Sequence, residues 1–241
     1  ETDIEDPYKY LSGTEYSLDL NEDGQADEIL FFNNYEEMNI TINGASFELA
    51  DHWPDMTYNK FRVVDIDATD NSLEIVINEA DPPFGELLSF YRYDGENFYS
   101  IGTVEKGFSD EGQDDIFIDG NGGVLVVNKS NIMQDGFYYK LHSINEAGTL
   151  EETLLEDIYS YISPITSKVN KEIRGYEGKS TDESYSEIPV GDEIVIYGEI
   201  NNWLNIKWND KELWVNDDEL THFSPNYPDE KFEFDGIQFW S

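Results

Sequence analysis

The sequence contains no cysteine, few positive charges and no long apolar run. Without cysteine the chain has no disulfide, no thiolate metal site and no cysteine nucleophile. Only 14 Lys and Arg stand against 53 Asp and Glu, which gives a formal net charge of −39. Because so acidic a chain repels phosphate backbones, we expect no nucleic-acid partner. No run approaches the roughly 18 apolar residues that span a bilayer, so we expect no membrane insertion.

The 241 residues nevertheless hold enough apolar material for a core, with 39% hydrophobic and 15% aromatic residues. Short runs rich in Ile, Val, Phe and Tyr have the lengths and residue types of strands. They lie at 28–32, 38–42, 61–66, 73–77, 87–93, 98–104, 124–127 and 137–141. Separators such as Asn43-Gly44 and Asp94-Gly95 suit tight hairpin turns. The sequence therefore predicts an all-β fold, with residues 10–148 as an antiparallel meander.

One segment departs from the strand pattern. Apolar residues recur at helical spacing between Leu150 and Ile162, and Thr149-x-x-Glu152 has the form of a capping box. Pro164 would end such a helix. We therefore predict a helix over 150–162, with one more pair of strands as the alternative.

An internal repeat lies in the first part of the chain. SLDLNEDGQADEILFF at 17–32 matches VVDIDATDNSLEIVI at 63–77, with Asp19 aligned to Asp65 at a spacing of 65 − 19 = 46 residues. A weaker third copy is IFIDGNGGVLVV at 116–127. Four strands in about 45 residues is typical of a β-propeller blade. Because only about three such units fit, we expect an irregular or partial propeller-like antiparallel domain. A β-sandwich is the alternative.

The first repeat places side-chain oxygens at alternate positions around Gly24. Calcium prefers roughly six to eight such oxygen ligands. The segment resembles the FG-GAP calcium loop of integrin-like β-propellers. This resemblance implies a structural calcium ion bound by Asp19, Asn21, Asp23, the carbonyl of Gln25, and Asp27. The alternative is an Asx-rich turn whose carboxylates accept backbone N–H groups.

The second copy departs from the calcium pattern, because Thr69, Asp70 and Leu73 replace the family's key residues. We expect Asp65 and Asp67 to make hydrogen bonds there rather than bind calcium. Loops of this type fill at millimolar calcium, which occurs outside cells. Since the sequence also begins without Met, we expect a secreted or cell-surface protein, with a lipid anchor on a removed leader as one alternative.

A second set of strands follows the polar stretch 167–184. Its segments IPVGDEIVIYG at 188–198, NWLNIKW at 202–208 and ELWVN at 212–216 resemble the bacterial SH3 (SH3b) domain. Glu212-Leu213 replaces the family's usual glycine. The resemblance implies a small SH3-like barrel at 164–222, after the propeller-like domain 1–163, and a peptide site at Tyr197, Trp203 and Trp214. In the alternative, both tryptophans lie in the barrel core or hold the loops in place. We expect the aromatic tail 223–241 to pack on one of the domains.

The sequence contains no recognisable catalytic motif. His52, His142 and His222 lack metal-ligand spacing, and no nucleophile elbow or phosphate loop is present. We therefore expect an extracytoplasmic binding module, not an enzyme, whose partner is a cell-wall peptide, a glycan or an extracellular protein. One alternative is an accessory or inhibitor protein that docks through its acidic surface. Another is a glycan hydrolase that uses paired carboxylates.

Overall fold

The computed structural model describes residues 10–34, 37–49, 60–81, 85–106, 116–130, 132–133, 136–154 and 157–217. The described residues form nineteen strands and no helix. All pairings between these strands are antiparallel. The predicted all-β class is therefore confirmed. The predicted tail 223–241 lies outside the described residues.

The strands belong to two compact units, and each unit is made of two pieces of chain. The first unit holds the described residues up to Val126 together with Leu141–Thr153. The second holds Val127–Lys140 and the described residues from Leu154 onward. This division by contacts differs from the predicted boundary between 163 and 164, because 127–140 and 154–163 lie with the second unit.

The described strands up to Thr153 form three antiparallel meanders, of which the first two lie wholly in the first unit. The strands of the first are β2 (Glu15–Leu18), β3 (Asp27–Asn33), β4 (Met38–Ile42) and β5 (Ala45–Glu48). Those of the second are β6 (Lys60–Val64), β7 (Glu74–Asp81), β8 (Gly85–Tyr93) and β9 (Phe98–Lys106), with β1 (Tyr10–Leu11) beside β6. Those of the third are β10 (Ile116–Ile118), β11 (Gly123–Lys129), β12 (Phe137–Ile144) and β13 (Leu150–Thr153). In each meander the repeated aspartate loop joins the first two of these four strands.

The second meander packs on both of its faces. Ile75 and Ile77 of β7 share a core with Ile29 and Phe31 of the first meander. Val76, between them, points to the opposite face and packs with Val124 of the third. Both faces of β7 are buried at Ile75–Ile77, where three aliphatic residues follow one another, whereas β3 alternates buried with more exposed positions.

The second unit is built on a six-stranded sheet in the order β14, β17, β18, β19, β15, β16. The strands are β14 (Tyr159–Lys168), β15 (Ile173–Tyr176), β16 (Tyr185–Ile188), β17 (Glu193–Ile200), β18 (Trp203–Trp208) and β19 (Lys211–Asn216). β12 reaches this sheet through the pair Tyr138 and Tyr161. In the described part of the chain the sheet stays open, and the expected SH3-like closure remains a prediction.

The helix predicted over 150–162 is wrong, because β13 and the start of β14 occupy this segment. Thr149 does not cap a helix. Its amide and hydroxyl both donate to Oδ1 of Asn145, at 3.1 and 3.0 Å, and so close the β12–β13 hairpin. Pro164 lies where the pairing of β14 with β17 shifts between Ser160 and Ile165. A strand accepts proline at such an irregularity because no ladder hydrogen bond is lost there.

Candidate functional site

The predicted calcium loop connects β2 and β3 and is closed by its own hydrogen bonds. The two oxygens of Asp19 accept the amides of Asp23 and Gly24, at 3.0 and 2.9 Å. Oδ1 of Asp23 accepts the amide of Gln25 at 2.8 Å. Gly24 has φ +86°, which glycine adopts without strain. These are the bonds of an Asx-rich turn, the alternative to a calcium loop.

Asp27 ties this loop to the rest of the first meander. Its carboxylate is buried, and Oδ2 accepts the amide of Leu20 at 3.0 Å. Oδ1 accepts Nδ2 of Asn43, in the β4–β5 turn, at 2.7 Å. Among the described residues no basic side chain pairs with Asp19, Asp23 or Asp27. Within the described part of the chain, N–H dipoles therefore balance the negative charge of the loop.

The loop fits a calcium ion in part. A carboxylate oxygen that accepts one N–H keeps a further lone pair. Oδ1 of Asn21 is buried and has no hydrogen-bond partner in the described chain, so it has an unused lone pair. However, the described residues contain no group of three or more Asp, Glu, His or Cys side chains arranged to hold a metal. The ligand set Asp19, Asn21, Asp23, Gln25 and Asp27 thus remains a prediction.

A cationic side chain from a neighbouring strand balances the charge of the second loop. Glu74, at the start of β7, has a fully buried carboxylate whose Oε2 accepts the amide of Ile66 at 3.0 Å. Oε1 contacts the guanidinium of Arg92 on β8 at 2.6 Å, and Arg92 also binds Asp70 at 2.7 Å. Burial raises the pKa of the Glu74 carboxyl, while the Ile66 amide and Arg92 oppose that rise. Sequence alignment places Leu73 at the position of Asp27, but Glu74 has its structural role.

Asp67 makes hydrogen bonds, as the sequence predicts. Its Oδ1 accepts the hydroxyl of Thr69 at 2.6 Å and the amide of the same residue at 3.0 Å. These two bonds, the hydroxyl first, lower the pKa of the Asp67 carboxyl. In the third loop an aspartate likewise accepts hydrogen bonds from its own loop: Oδ1 of Asp119 accepts the amides of Asn121 and Gly123 at 2.7 and 3.0 Å. Asp65 is exposed.

Backbone hydrogen bonds join each loop to the next. The carbonyl of Leu20 accepts the amide of Leu73 at 2.8 Å, and the carbonyl of Ile66 accepts the amide of Gly122 at 2.8 Å. Leu20 and Ile66 are corresponding residues of the repeat, since 66 − 20 = 46, and both are fully buried. The loops therefore fix neighbouring meanders to each other. This arrangement gives the aspartate repeat a structural role.

In the second unit, Trp203 and Trp214 lie on adjacent strands and on the sheet face that does not contain Leu204, Ile206, Leu213 and Val215 of the core. Trp203 pairs with Asn216 and Trp214 with Asn205, so the two indoles are diagonal neighbours. Both are partly exposed. Neither indole belongs to the hydrophobic core cluster of this sheet.

Two tyrosines that the sequence analysis did not identify extend this face. Tyr176 pairs with Trp214 across β15 and β19, and its ring meets Trp203 edge to face at 5.7 Å between centroids. Tyr185, on β16, pairs with Tyr176 and is 50% exposed. Tyr176, Tyr185, Trp203 and Trp214 are called the aromatic face below. Tyr176 lies within the polar stretch 167–184 and Tyr185 directly follows it, so no strand pattern marked either residue.

Two basic side chains stack on the aromatic face. Arg174 lies over the ring of Tyr185 at 5.0 Å, and the ammonium of Lys179 lies over Trp214 at 5.0 Å. Tyr197, the third predicted ligand residue, is partly exposed on β17, where the pairing with β18 shifts between Ile196 and Gly198. Within the described residues no ring contact joins Tyr197 to the aromatic face. The structure thus brings together two of the three predicted residues.

A buried polar cluster lies on the core side of the same sheet. Glu199 accepts the hydroxyl of Tyr161 at 2.8 Å and that of Ser130 in a very close contact. Oγ of Ser130 accepts the amides of Ile132 and Met133 at 3.0 and 2.7 Å. Burial, and next the charge of Glu199, raise the pKa of the Tyr161 phenol. The cluster fastens the chain around residue 130 to the sheet.

Comparison with known proteins identified no relative. The chain matched no family model and no curated protein, and its structure matched no solved structure. Among the described residues there is no helix with the length and apolarity needed to cross a membrane. The fold and the site define the class only as an antiparallel all-β protein with an aromatic sheet face.

Proposed function

We propose that this protein is an extracytoplasmic binding module and that the aromatic face of its second unit is the recognition surface. The supporting observation is that Tyr185, Trp203 and Trp214 are exposed or partly exposed on one face of the sheet, around the buried ring of Tyr176. Aromatic side chains are the commonest anchors of binding surfaces, because they offer large area at low conformational cost. The partner class is a cell-wall peptide, a glycan or an extracellular protein.

The first unit acts as a scaffold in this proposal. Its first two meanders and its part of the third, joined through their aspartate loops, form a partial propeller. Calcium in the first loop adds to the bonds that already close it. Millimolar calcium occurs outside cells, which agrees with a secreted or cell-surface location. The second unit is proposed to be SH3b-like, and its strands β17, β18 and β19 correspond to the three segments of that resemblance.

The test is sedimentation of the purified full chain with insoluble bacterial cell walls. Trp203→Ala and Trp214→Ala should each weaken binding at least about tenfold, as expected for aromatic anchors. Tyr99→Ala is the matched control, because Tyr99 is an exposed aromatic residue of the first unit. Wild-type binding by both tryptophan variants would disprove the aromatic face as the recognition surface.

A second candidate function follows from the net charge of −39. An accessory or inhibitor protein that docks on a basic partner would use this charge to steer association. In that case the association rate should fall steeply between low and physiological salt, and no single aromatic substitution should abolish binding.

A further inference from the structure

The edge of the second unit's sheet is open at β16. This strand pairs with β15, and no strand of the described chain lies on its other side. The amide of Glu177 donates to the carbonyl of Ser184 at 2.9 Å, which fixes where the hydrogen-bonded pairs fall. Because such pairs alternate along an antiparallel ladder, Ser186 and Ile188 bond to β15. Tyr185 and Glu187 therefore direct their backbone N–H and C=O groups to the free edge.

The side chains on this edge are positioned to contact an added strand. Tyr185 and Glu187 lie on the face shared with Tyr176, and both are exposed. A peptide bonded to β16 would place every second side chain beside the ring of Tyr185 and the carboxylate of Glu187. β16 thus presents backbone donors and acceptors, an aromatic ring and a negative charge together.

The charge around this edge favours a basic partner. Residues 172–188 contain five acidic and two basic residues, a net of 2 − 5 = −3, within a chain of net charge −39. The two basic residues are Arg174 and Lys179, and both stack on rings of the aromatic face. Rings that hold the chain's own cations are also suited to the cations of a ligand.

We propose that β16 binds an extended basic peptide, which adds to the sheet as a further strand. The backbone of Tyr185 and Glu187 supplies the hydrogen bonds, and lysine or arginine side chains of the peptide contact Tyr185 and Glu187. Strand addition of this kind gains affinity from main-chain bonds and specificity from alternate side chains. This inference rests on the proposed function, since it takes the second unit as the recognition unit and names the chemistry of its partner.

The test uses the full chain and a synthetic peptide of about eight alternating Lys and Val residues, with an alternating Glu–Val peptide of equal length as the control. Titration calorimetry should show binding of the Lys–Val peptide only, weakening as salt rises. Glu187→Pro should abolish binding, because proline removes the amide that faces the edge. The bonds to β15 stay, since Ser186 and Ile188 make them.

A charge variant covers the case in which Glu187→Pro does not fold. Glu187→Lys should weaken binding of the Lys–Val peptide at least about tenfold. Glu193→Lys, the same change at an exposed position of β17, should alter it less than about twofold. Equal effects of the two variants, or equal binding of the Glu–Val peptide, would overturn the proposal.

The outcomes separate this inference from the proposed function. If Trp214→Ala loses cell-wall binding while Glu187→Pro folds and still binds the Lys–Val peptide, strand addition is wrong and the aromatic face stands. If Glu187→Pro loses the peptide while both tryptophan variants keep wild-type binding to cell walls, the edge at Tyr185 and Glu187 is the site, and Trp203 and Trp214 are not part of the recognition surface.

Discussion

Asp27 and Glu74 have the same role in the first two meanders, although 74 − 27 = 47 differs by one from the repeat spacing of 46. Each accepts the amide of the buried aliphatic residue in its own loop, Leu20 or Ile66, at 3.0 Å. The group on the following strand or turn differs, because Asn43 binds Asp27 and Arg92 binds Glu74. Of these two loops, therefore, only the second has a basic side chain, Arg92 of β8, that balances its negative charge.

This difference predicts that calcium stabilises the first loop alone. With about 5 mM calcium and a dissociation constant of about 0.1 to 1 mM, binding to the folded state raises the free energy of unfolding by about 1 to 2 kcal/mol. Thermal unfolding in calcium and in EGTA should show this gain in the wild type and in Asp67→Ala. In Asp23→Ala the gain should vanish. An unchanged midpoint in calcium would establish the loop as an Asx turn without a metal.

Substitution of Arg92 should lower the free energy of unfolding, because the buried Glu74 carboxylate would lose its positively charged partner. Arg92→Met should lower the free energy of unfolding at pH 7 by about 3 kcal/mol or more, because a buried charge loses its partner. Arg92→Met with Glu74→Gln should recover most of the loss, since the amide oxygen still accepts the Ile66 amide. Urea unfolding of both variants provides the measurement.

The same variant should respond to pH in one direction. Burial raises the pKa of Glu74 in the folded protein above that in the unfolded chain. The contribution of this group is thus favourable below the unfolded pKa of about 4.3 and is lost as pH rises through the folded pKa. The deficit of Arg92→Met should therefore shrink as pH falls from 7 toward 5. A constant deficit would contradict this account.

The carboxyl of Asp67 should titrate below its ordinary range, because Thr69 stabilises its charged form. Its contribution to stability is present above the unfolded pKa and is lost as pH falls through the folded pKa. Thr69→Val removes the hydroxyl and should raise the pKa of Asp67 in an NMR titration. Asp94, whose pKa is lowered by the amides of Asn97 and Glu96, is the internal control and should not move.

The Tyr161 phenol should make the protein sensitive to alkali. Its pKa is raised in the folded state, so the associated stability is intact below about pH 10 and is lost above it. Tyr161→Phe should cost about 1 to 3 kcal/mol at neutral pH, because Glu199 loses a buried donor. The variant should lose less stability than the wild type between pH 9 and 11, and Tyr99→Phe should match the wild type throughout.

The sequence predicted the strands well where local composition determines them. The run at 38–42 coincides with β4, and the aspartate repeat marks the first hairpin of each meander. The sequence failed at 150–162, where apolar residues at helical spacing belong to two strands. Helical propensity was outweighed there by pairing with distant strands: Ser160 pairs with Gly198, 38 residues away.

Two of the four residues of the aromatic face, Tyr176 and Tyr185, could not be predicted from the sequence either. Trp203 and Trp214 lie in strands with clear patterns, whereas Tyr176 lies in a polar segment without one. Its place beside Trp214 depends on pairing between β15 and β19, which no local signal indicates. The cation contacts of Arg174 and Lys179 follow from the same pairing.

The two-piece construction of the second unit limits how the protein can be dissected. Its core contains Ile132, Met133, Tyr138 and Tyr161 alongside the strands after residue 164. A fragment that begins at residue 164 would lack those four side chains and would expose the apolar groups that they cover. Expression of the segment from residue 164 onward by itself should therefore give an aggregating product. A fusion that retains 127–140 and 154–217 through a short linker is the smallest piece expected to keep this core complete.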